Sequence, residues 1–467
     1  MHLLIQLVSL YFNLVMRMKL KDKMIFTLYE PDGKLNIFKL AYPVILQELF
    51  NYMITGVHTL ILSDVSKEAV AAVGVANTLI NIMTVFANCV SVGVMILMSF
   101  ALGRDERNTA RSLFTSGIVT AIVLALITGG AVTVLAPHIL KLYSLDGITL
   151  TYATGYLRIR MLFLFTVALS TVFVTVLRCF GKTLIIMISG IASNILNALF
   201  SFWAVGSPLF GDKVSALAFA AVIGQTFSAI IAGIAALKRL KPAPKTDIKS
   251  ALRILKLGIP SVYGNLSYQI SVTVTTAFIS AIGIAAVNTR VYVNNITMYV
   301  PLIPSALSQA NSVMLGRLLG RCEFGKARRL VRQNTLIAAV SSTLISATVF
   351  IFSKPLISVF TSDPDIIRTA QTILLIDIVI ELMRSANYIY NNSTLICAKD
   401  VYFASFMGMA CSWIISVGGS FLLCNVYGLG IVGCYIAFAA DEGTRAILAI
   451  LRWKYGPWEK RLKNGVT

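Results

Sequence analysis

The chain has 467 residues, of which 57% are hydrophobic and 13% charged, and its mean hydropathy is +0.81. A soluble protein carries roughly a quarter charged residues, so this composition excludes a soluble enzyme and indicates an integral membrane protein. The formal net charge is +20, but the basic residues lie between apolar runs and not on the face of a soluble domain, which argues against nucleic acid as a partner.

The first 35 residues differ from the rest of the chain. Residues 3–15 are apolar and are followed by a cluster of Lys and Arg. The stretch is too short to span a bilayer, and its charges follow the apolar core instead of preceding it, unlike those of a signal peptide. We predict that residues 1–35 form a cytoplasmic or interfacial segment. The alternative is a later translation start, at Met16, Met18 or Met24.

Apolar runs long enough to cross a bilayer, about 20 residues each, recur from residue 38 onwards. Twelve spans are predicted, at 38–63, 70–101, 113–137, 150–177, 183–206, 215–237, 254–281, 284–316, 332–353, 367–397, 401–425 and 428–451. The second and eighth are long enough to be broken or strongly tilted. The sequence therefore predicts an all-α integral membrane protein with twelve transmembrane helices.

Lys and Arg crowd alternate loops, at 104–111, 238–249 and 317–329, and they crowd the tail at 452–463. The loops between them hold scattered acidic residues instead. This alternation is the positive-inside pattern. It predicts an even number of spans in the lipid bilayer of the plasma membrane, with both termini in the cytoplasm.

The chain repeats itself with an offset of 217 residues. The matched segments are KLAYP at 39–43 with KLGIP at 256–260, LGRDE at 102–106 with LGRCE at 319–323, and Ala110-Arg111 with Ala327-Arg328. Several matches at one offset are not chance, so the chain is predicted to consist of two homologous halves.

The duplication defines the predicted organisation. An N-lobe of six helices covers 36–237, a basic cytoplasmic linker covers 238–253, a C-lobe of six helices covers 254–452, and a cytoplasmic tail covers 453–467. Because six is even, both halves share one orientation and form a parallel repeat about an axis along the membrane normal. Two such bundles, with a cleft closed alternately at each end, are the architecture of a secondary transporter.

Several motifs carry a family resemblance. Tyr42-Pro43, the segment EAVAAVGVAN at 68–77 and the LGR…AR loops of both halves resemble the multidrug and toxic compound extrusion (MATE) family. Residues 441–458, which include the end of the last span, resemble that family's DE…RA…RW.G.W ending. The resemblance covers about 35–460. It implies a two-lobed, twelve-helix exporter driven by inward Na⁺ or H⁺ flow.

Ionisable residues inside spans are costly and are usually functional. In the second half the candidates are Asp377, Glu381 and Arg384 in the tenth span and Asp441, Glu442 and Arg445 in the twelfth. The spacing i, i+4, i+7 puts the first three on one helical face. Glu381 and Glu442 share a depth, about 21 Å from the outer ends of their spans. We interpret this set as a cation or proton coupling site, which Asn387 could complete; the alternative is a static ion-pair network.

The first half offers two coupling candidates. Glu48 lies about 15 Å into the first span, and a buried Glu can carry a proton; the alternative is pairing with Arg158 or Arg160. His58 stands where the family commonly has an Asp that is one of its ion-coupling candidates. A His can carry a proton near neutral pH but is a poor Na⁺ ligand, and the alternative is a packed, hydrogen-bonded residue.

Two departures from the family pattern favour a coupling site in the second half of the chain. Tyr268 stands where many members have an acid, and the fifth span has Asn194 and Asn197 but no carboxylate. Substrate-cleft candidates are the amides Asn77, Asn81, Asn197, Asn294 and Asn295, together with Asn88. Their alternative role is ordinary helix packing. Pro301 and Pro304 are expected to break or kink the eighth span.

The sequence favours a secondary active efflux transporter that exports amphipathic, cationic organic compounds by antiport with Na⁺ or H⁺ as the coupling ion, and no cofactor is expected. The alternative is a lipid or lipid-linked sugar flippase of the same superfamily, kept open by Arg158, Arg160 and Arg384. An intramembrane enzyme or receptor is disfavoured, because no catalytic motif or residue is found. Without a CxxC pair the seven cysteines support no metal site. We expect a monomer.

Overall fold

The computed structural model describes residues 26–463 except for 31–32, 64–65, 142, 144, 207–211 and 245. Side chains are described for the same residues apart from 29–30, 33–34, 53–63, 67 and 205–206. Most of the predicted N-terminal segment 1–35 therefore lies outside the described residues.

The first described element is an antiparallel β-hairpin, which the sequence analysis did not predict. Its strands are β1 (Thr27–Glu30) and β2 (Gly33–Asn36). Four residues per strand are too few to give a periodic apolar signal. Asn36 then caps the first helix, because its Oδ1 accepts the N–H groups of Phe38 at 3.0 Å and Lys39 at 3.2 Å.

Helices make up nearly all of the rest. They are α1 (Ile37–Ser63), α2 (Lys67–Gly103), α3 (Arg107–Lys141), α4 (Gly147–Leu162), α5 (Leu164–Cys179), α6 (Thr183–Gly206), α7 (Lys213–Arg239), α8 (Ile248–Ile282), α9 (Ile284–Thr297), α10 (Leu302–Gly320), α11 (Phe324–Ile351), α12 (Ser353–Ser358), α13 (Pro364–Ile389), α14 (Val401–Val426), α15 (Gly430–Tyr455) and α16 (Trp458–Lys463). Helix α13 continues as a π-helical segment, Tyr390–Leu395, and α14 contains two more, Ser412–Val417 and Phe421–Val426. Each predicted span corresponds to one helix or to a broken pair.

Among the described residues, six helices are individually long and apolar enough to cross a membrane, and the pair α4–α5 makes a seventh if it is one bent span. Other spans fall short for identifiable reasons. Helices α13 and α15 each bring three charged residues close together inside the apolar stretch. These spans are helical like the strongly apolar ones, but they differ from them by carrying charged residues or by being broken into two helices.

Two predicted spans are broken. Helices α4 and α5 meet at Phe163 with a bend of 46°. Helix α9 ends at Thr297, and α10 begins only after Pro301, in agreement with the predicted break. Pro304 lies in the first turn of α10, where a missing N–H removes no intrahelical bond.

The internal repeat is visible in the turns that end the helices. Asp105 and Cys322, 217 residues apart, both have φ of 58°. In the first turn the Glu106 N–H donates to the carbonyl of Ala101 at 2.9 Å, and in the second the N–H of Glu323 donates to Leu318 at the same distance. A left-handed residue with a six-to-one hydrogen bond is the Schellman ending of a helix. The two halves thus share backbone detail as well as motif.

The described chain divides into two compact units. The first unit is Tyr42–Val262, and the second runs from Tyr263 onward together with the described residues up to Ala41. Small residues let helices approach closely inside the first unit. A Cβ added at Gly93 would collide with the carbonyl oxygen of Ile254. Backbone-to-backbone contact of α2 with α8 is therefore possible only because a glycine stands there.

Candidate functional site

The second unit brings the intramembrane charges of α13 and α15 together. Asp363 fixes the start of α13, since its Oδ1 accepts the N–H of Asp365 at 2.9 Å, and Pro364 occupies the first position. From that start the helix turns Glu381 and Arg384 toward α15. The predicted meeting of the tenth and twelfth spans is observed.

Arg384 joins the two helices. Its Nη1 donates to Oε1 of Glu381 on the same helix, and its Nε donates to Oε1 of Glu442 on α15 at 3.1 Å. Glu381 is 1% exposed and Glu442 7%, while the Arg384 side chain is 29% exposed. One guanidinium is therefore shared between two buried carboxylates.

Asn387 makes a second link between the helices. Its Nδ2 donates to Oε2 of Glu442 at 2.6 Å and to the backbone carbonyl of Glu442 at 2.9 Å. Glu442 thus receives hydrogen bonds from two side chains of α13, and a hydrogen bond to a charged group is stronger than a neutral one. The sequence analysis named Asn387 as a residue that could complete the site, and it contacts Glu442 directly.

Arg445 forms a separate pair on α15. Its Nε donates to Oδ1 of Asp441 at 2.8 Å and its Nη2 donates to Oδ2. The same Nη2 donates to Oγ of Ser412 at 2.9 Å, and the guanidinium lies 5.4 Å from the ring centroid of Tyr268. Asp441 and Arg445 pair with each other rather than with α13. Ser412 was missed because it lies in a π-helical segment, whose side-chain directions a 3.6-residue period does not predict.

Three oxygen-bearing side chains of the site remain unsatisfied. Oε2 of Glu381 and Oδ1 of Asn387 are buried without a hydrogen-bond partner. Asp377, 5% exposed, has no ion pair or hydrogen bond to any residue that the structure describes. On α9, Nη1 of Arg290 is likewise buried without a hydrogen-bond partner among the described residues. The site therefore contains acceptors that no donor of the described chain fills.

The first unit holds a smaller polar group. Asn194 donates through Nδ2 to Oδ1 of Asn51 at 2.8 Å, and Asn51 donates to Oε2 of Glu48 at 3.3 Å. Arg158 donates to the carbonyl of Thr133 at 3.3 Å.

The suggested ion pairs of Glu48 are wrong within the described residues, because Glu48 pairs with neither Arg158 nor Arg160 there. Arg178, at the end of α5, is the cation that interacts electrostatically with Glu48, and its Nε is buried without a hydrogen-bond partner. The sequence analysis did not single out Arg178, because the predicted fourth span, 150–177, ends one residue before it.

The remaining candidates are placed less fully. His58 lies in α1, but its side chain falls outside the described residues, so its coupling role stays a prediction. Asn197 accepts a hydrogen bond from Ser201 at 3.4 Å. The other substrate-cleft candidates have exposed side chains; they are Asn77, Asn81, Asn88, Asn294 and Asn295. Their place in a substrate cleft also stays a prediction.

Within the part of the chain that the structure describes, no three or more His, Cys, Asp or Glu side chains are grouped so as to hold a metal ion. Amide and carboxylate oxygens are both ligands for hard cations. The unfilled Oδ1 of Asn387 is one such oxygen.

Comparisons with known proteins agree with this architecture. The family model described as MatE matches residues 43–203 and 260–422. The chain is 31% identical to the uncharacterized transporter YisQ of Bacillus subtilis (strain 168), over 91% of this chain and 95% of that protein. It is 23% identical to a probable multidrug resistance protein NorM of Thermotoga maritima, over 92% and 94%.

Solved structures show the same fold. A crystal structure of a MATE protein in its bent conformation aligns with a TM-score of 0.83 at 16% identity, covering 92% of this chain and 96% of that one. A MOP superfamily transporter from Pyrococcus furiosus Vc1 (DSM3638), described as having a binding pocket of reverse polarity, aligns with a TM-score of 0.81 at 16% identity, covering 91% and 96%. The predicted two-bundle helical fold is thereby confirmed.

Proposed function

The chain belongs to the multidrug and toxic compound extrusion (MATE) family, and on that premise we propose that it is a secondary active exporter. It moves amphipathic, cationic organic compounds out across the plasma membrane in exchange for Na⁺ or H⁺. Its relatives from Thermotoga maritima and Pasteurella multocida are named probable multidrug resistance proteins, which supports this class of substrate.

The observation that carries the proposal is an excess of buried acid in the second unit. Of four buried carboxylates, three pair with the guanidiniums of Arg384 and Arg445, and the fourth has no ion pair within the described residues. The carboxylates belong to Asp377, Glu381, Asp441 and Glu442, which are 1% to 7% exposed. Uncompensated charge inside a membrane protein costs several kcal/mol, on the order of the cost of breaking a buried ion pair. Uptake of a cation or proton lowers that cost.

The geometry links uptake to helix position. Arg384 is bonded to Glu381 on its own helix and to Glu442 on α15. A cation or proton at Glu381 weakens the hold of that carboxylate on Arg384, and the guanidinium then follows Glu442. Two arrangements of α13 against α15 differ in this way in their affinity for the coupling ion, which is the requirement for coupling ion binding to a conformational change.

The test is dye transport in everted vesicles that contain the full chain. Efflux of ethidium is measured under an imposed Na⁺ gradient and, separately, an imposed H⁺ gradient, for wild type, Glu381→Gln and the matched control Asp365→Asn. Asp365 is a carboxylate of the same helix, but it is exposed in the first turn and outside the cluster. We expect one gradient to drive efflux in wild type and Asp365→Asn, and Glu381→Gln to lose it.

Two other outcomes are informative. If Glu381→Gln retains gradient-driven efflux, the charge cluster is a static packing feature and the proposed coupling site is wrong. If wild type moves no organic cation under either gradient, the antiporter proposal fails. A lipid or lipid-linked sugar flippase of the same superfamily then becomes the function to test.

A further inference from the structure

The segment after the last span of each half returns to the arginine of that half's LGR…AR motif. In the first unit, Arg111 donates through Nε to the carbonyl of Lys241 at 3.0 Å and through Nη2 to that of Pro242 at 3.4 Å. Thr115 lies one turn later on α3. Its hydroxyl accepts a hydrogen bond from the backbone N–H of Ala243 at 2.7 Å and donates one to the Ala243 carbonyl at 3.3 Å. The linker after α7 is thus held against the start of α3.

The second unit has the corresponding contact at the corresponding positions. Adding the repeat offset of 217 to Arg111, Lys241 and Pro242 gives Arg328, Trp458 and Glu459. Arg328 donates through Nη2 to Oε2 of Glu459 at 2.6 Å, and its guanidinium lies 5.5 Å from the ring centroid of Trp458. The place of contact is retained, but side chains have replaced the backbone acceptors of the first half.

Trp458 anchors this contact. It is 1% exposed and stacks on Trp453 of α15, with ring centroids 4.0 Å apart and planes at 5°. Its Nε1 donates to the Trp453 carbonyl at 2.7 Å, and Phe324 at the start of α11 packs edge-on at 5.7 Å. A buried aromatic side chain that also satisfies its polar atom is a specific anchor. Helix α16 therefore binds the start of α11 and the end of α15.

Asp400 ties the same segment to the end of α13. It lies in the turn between the π-helical end of α13 and the start of α14, and it is 4% exposed. Arg452 of α15 donates to it through Nε at 2.7 Å, and Nη2 of Arg461 of α16 lies 3.1 Å from its Oδ1. One buried carboxylate thus contacts α15 and α16 directly after α13 ends.

We propose that residues 456–463 form a clasp that positions α13 against α15 and so sets the affinity of the charge cluster for its coupling cation. The inference rests on the proposed function. Arg452 lies ten residues beyond Glu442 on one helix, about 15 Å along its axis. A shift of α15 at its end moves Glu442 relative to Arg384 and Asn387. Trp458, Arg328 and Asp400 are positioning residues that act through α15.

The experiment compares the C-terminal clasp with its counterpart in the first unit. The full-length variants are Trp458→Ala, Arg328→Gln and Asp400→Asn, with Trp458→Phe as the conservative rescue and Arg111→Gln as the matched control. Hydrogen–deuterium exchange is followed in peptides covering 376–392 and 436–450 of the purified protein. The half-saturating concentration of the coupling cation is measured by dye efflux from vesicles.

We expect Trp458→Ala to accelerate exchange in both peptides several-fold and to raise the half-saturating cation concentration by about tenfold, the size of effect that residues supporting an ion site have. Maximal efflux changes less. Trp458→Phe restores both readouts, and Arg111→Gln leaves both at wild-type values.

If hydrogen–deuterium exchange in the two peptides is unchanged in Trp458→Ala, the clasp proposal is wrong. It is also wrong if Arg111→Gln accelerates exchange in both peptides as much as Trp458→Ala does. If Trp458→Ala does not fold, the milder Arg328→Gln and Asp400→Asn decide by the same readouts. If wild type shows no cation dependence, the proposed function fails, while the exchange measurement still tests whether the clasp positions α13 against α15.

Discussion

The two units surround their buried carboxylates in different ways. Glu442 in the second unit receives hydrogen bonds from Arg384 and Asn387, both on another helix. Glu48 in the first unit receives one amide hydrogen bond, from Asn51 on its own helix, and Asn194 supports that amide from α6. The acid of the second unit forms an ion pair across two helices, whereas the acid of the first forms no ion pair within the described residues and accepts its hydrogen bond from an amide.

This difference predicts in which unit a change in the charge of the buried carboxylate alters the packing of helices. Loss of charge on Glu442 removes an ion pair between α13 and α15, and so alters the force between two helices. Loss of charge on Glu48 leaves the amide relay of Asn51 and Asn194 intact. We therefore expect substitutions around the acid of the second unit to have the larger effects, and the variants below test this contrast.

The largest effect is expected for Arg384→Gln. The change leaves Glu381 and Glu442 without their shared cation, and breaking a buried ion pair from one side costs about 3 kcal/mol. We expect a large drop in thermal stability in detergent, together with loss of gradient-driven efflux. Arg158→Gln is the matched control, since Arg158 is an exposed arginine of α4 that donates to a backbone carbonyl.

A second variant separates charge from packing. Arg384→Gln combined with Glu442→Gln removes one charge of each sign and should recover part of the lost stability, although not transport. If the double variant is less stable than the single one by the full cost of Glu442→Gln, the two residues do not interact, and the contrast between the units is lost.

An intermediate effect is expected when the amides are compared. Asn387→Ala removes two hydrogen bonds to Glu442, one to its charged carboxylate, which should cost about 2 kcal/mol of unfolding free energy. Asn51→Ala removes a longer hydrogen bond to Glu48 and the neutral one from Asn194, in a half-buried group, and should cost about 1 kcal/mol. Denaturant melts of both variants give the comparison. Equal losses would show that the two acids are supported alike.

The sequence predicted the helices well because a membrane span is a long apolar run. The predicted spans 38–63 and 183–206 compare with the helices Ile37–Ser63 and Thr183–Gly206. The features that it missed are local or short. Two four-residue strands carry no periodic signal, and the left-handed endings of helices at Asp105 and Cys322 depend on hydrogen bonds between neighbouring turns.

The site was predicted in part. Helical spacing correctly put Glu381 and Arg384 on one face, and equal depth correctly brought Glu442 to them. The depth of a residue in the membrane could not predict its ion-pair partner, because several charged side chains lie at the same depth. Arg445 accordingly pairs within its own helix, and Glu48 does not pair with Arg158. Ser412 reaches the site from a π-helical segment that shifts the direction of its side chains.

The smallest effect concerns Glu459, which stands where the first half uses a backbone carbonyl. A hydrogen bond from Lys463 and the charge of Arg328 hold the pKa of Glu459 below its ordinary value. Because its folded-state pKa is depressed, its stabilisation is present at neutral pH and is lost as the pH falls through that pKa. We expect Glu459→Gln to cost about 0.5 kcal/mol at pH 7, since the group is near the surface and screened.

The contact in the first half gives this prediction its contrast. Arg111 donates to the carbonyls of Lys241 and Pro242, acceptors that do not titrate. In thermal melts, the difference between wild type and Glu459→Gln should shrink as the pH falls below the unfolded-state pKa of Glu, about 4.3, and should vanish only below the depressed folded-state pKa of Glu459. The difference between wild type and Arg111→Gln should persist. A constant gap for Glu459→Gln would mean that the carboxylate acts through its shape and not its charge, and that the two halves hold their trailing segments by the same uncharged contact.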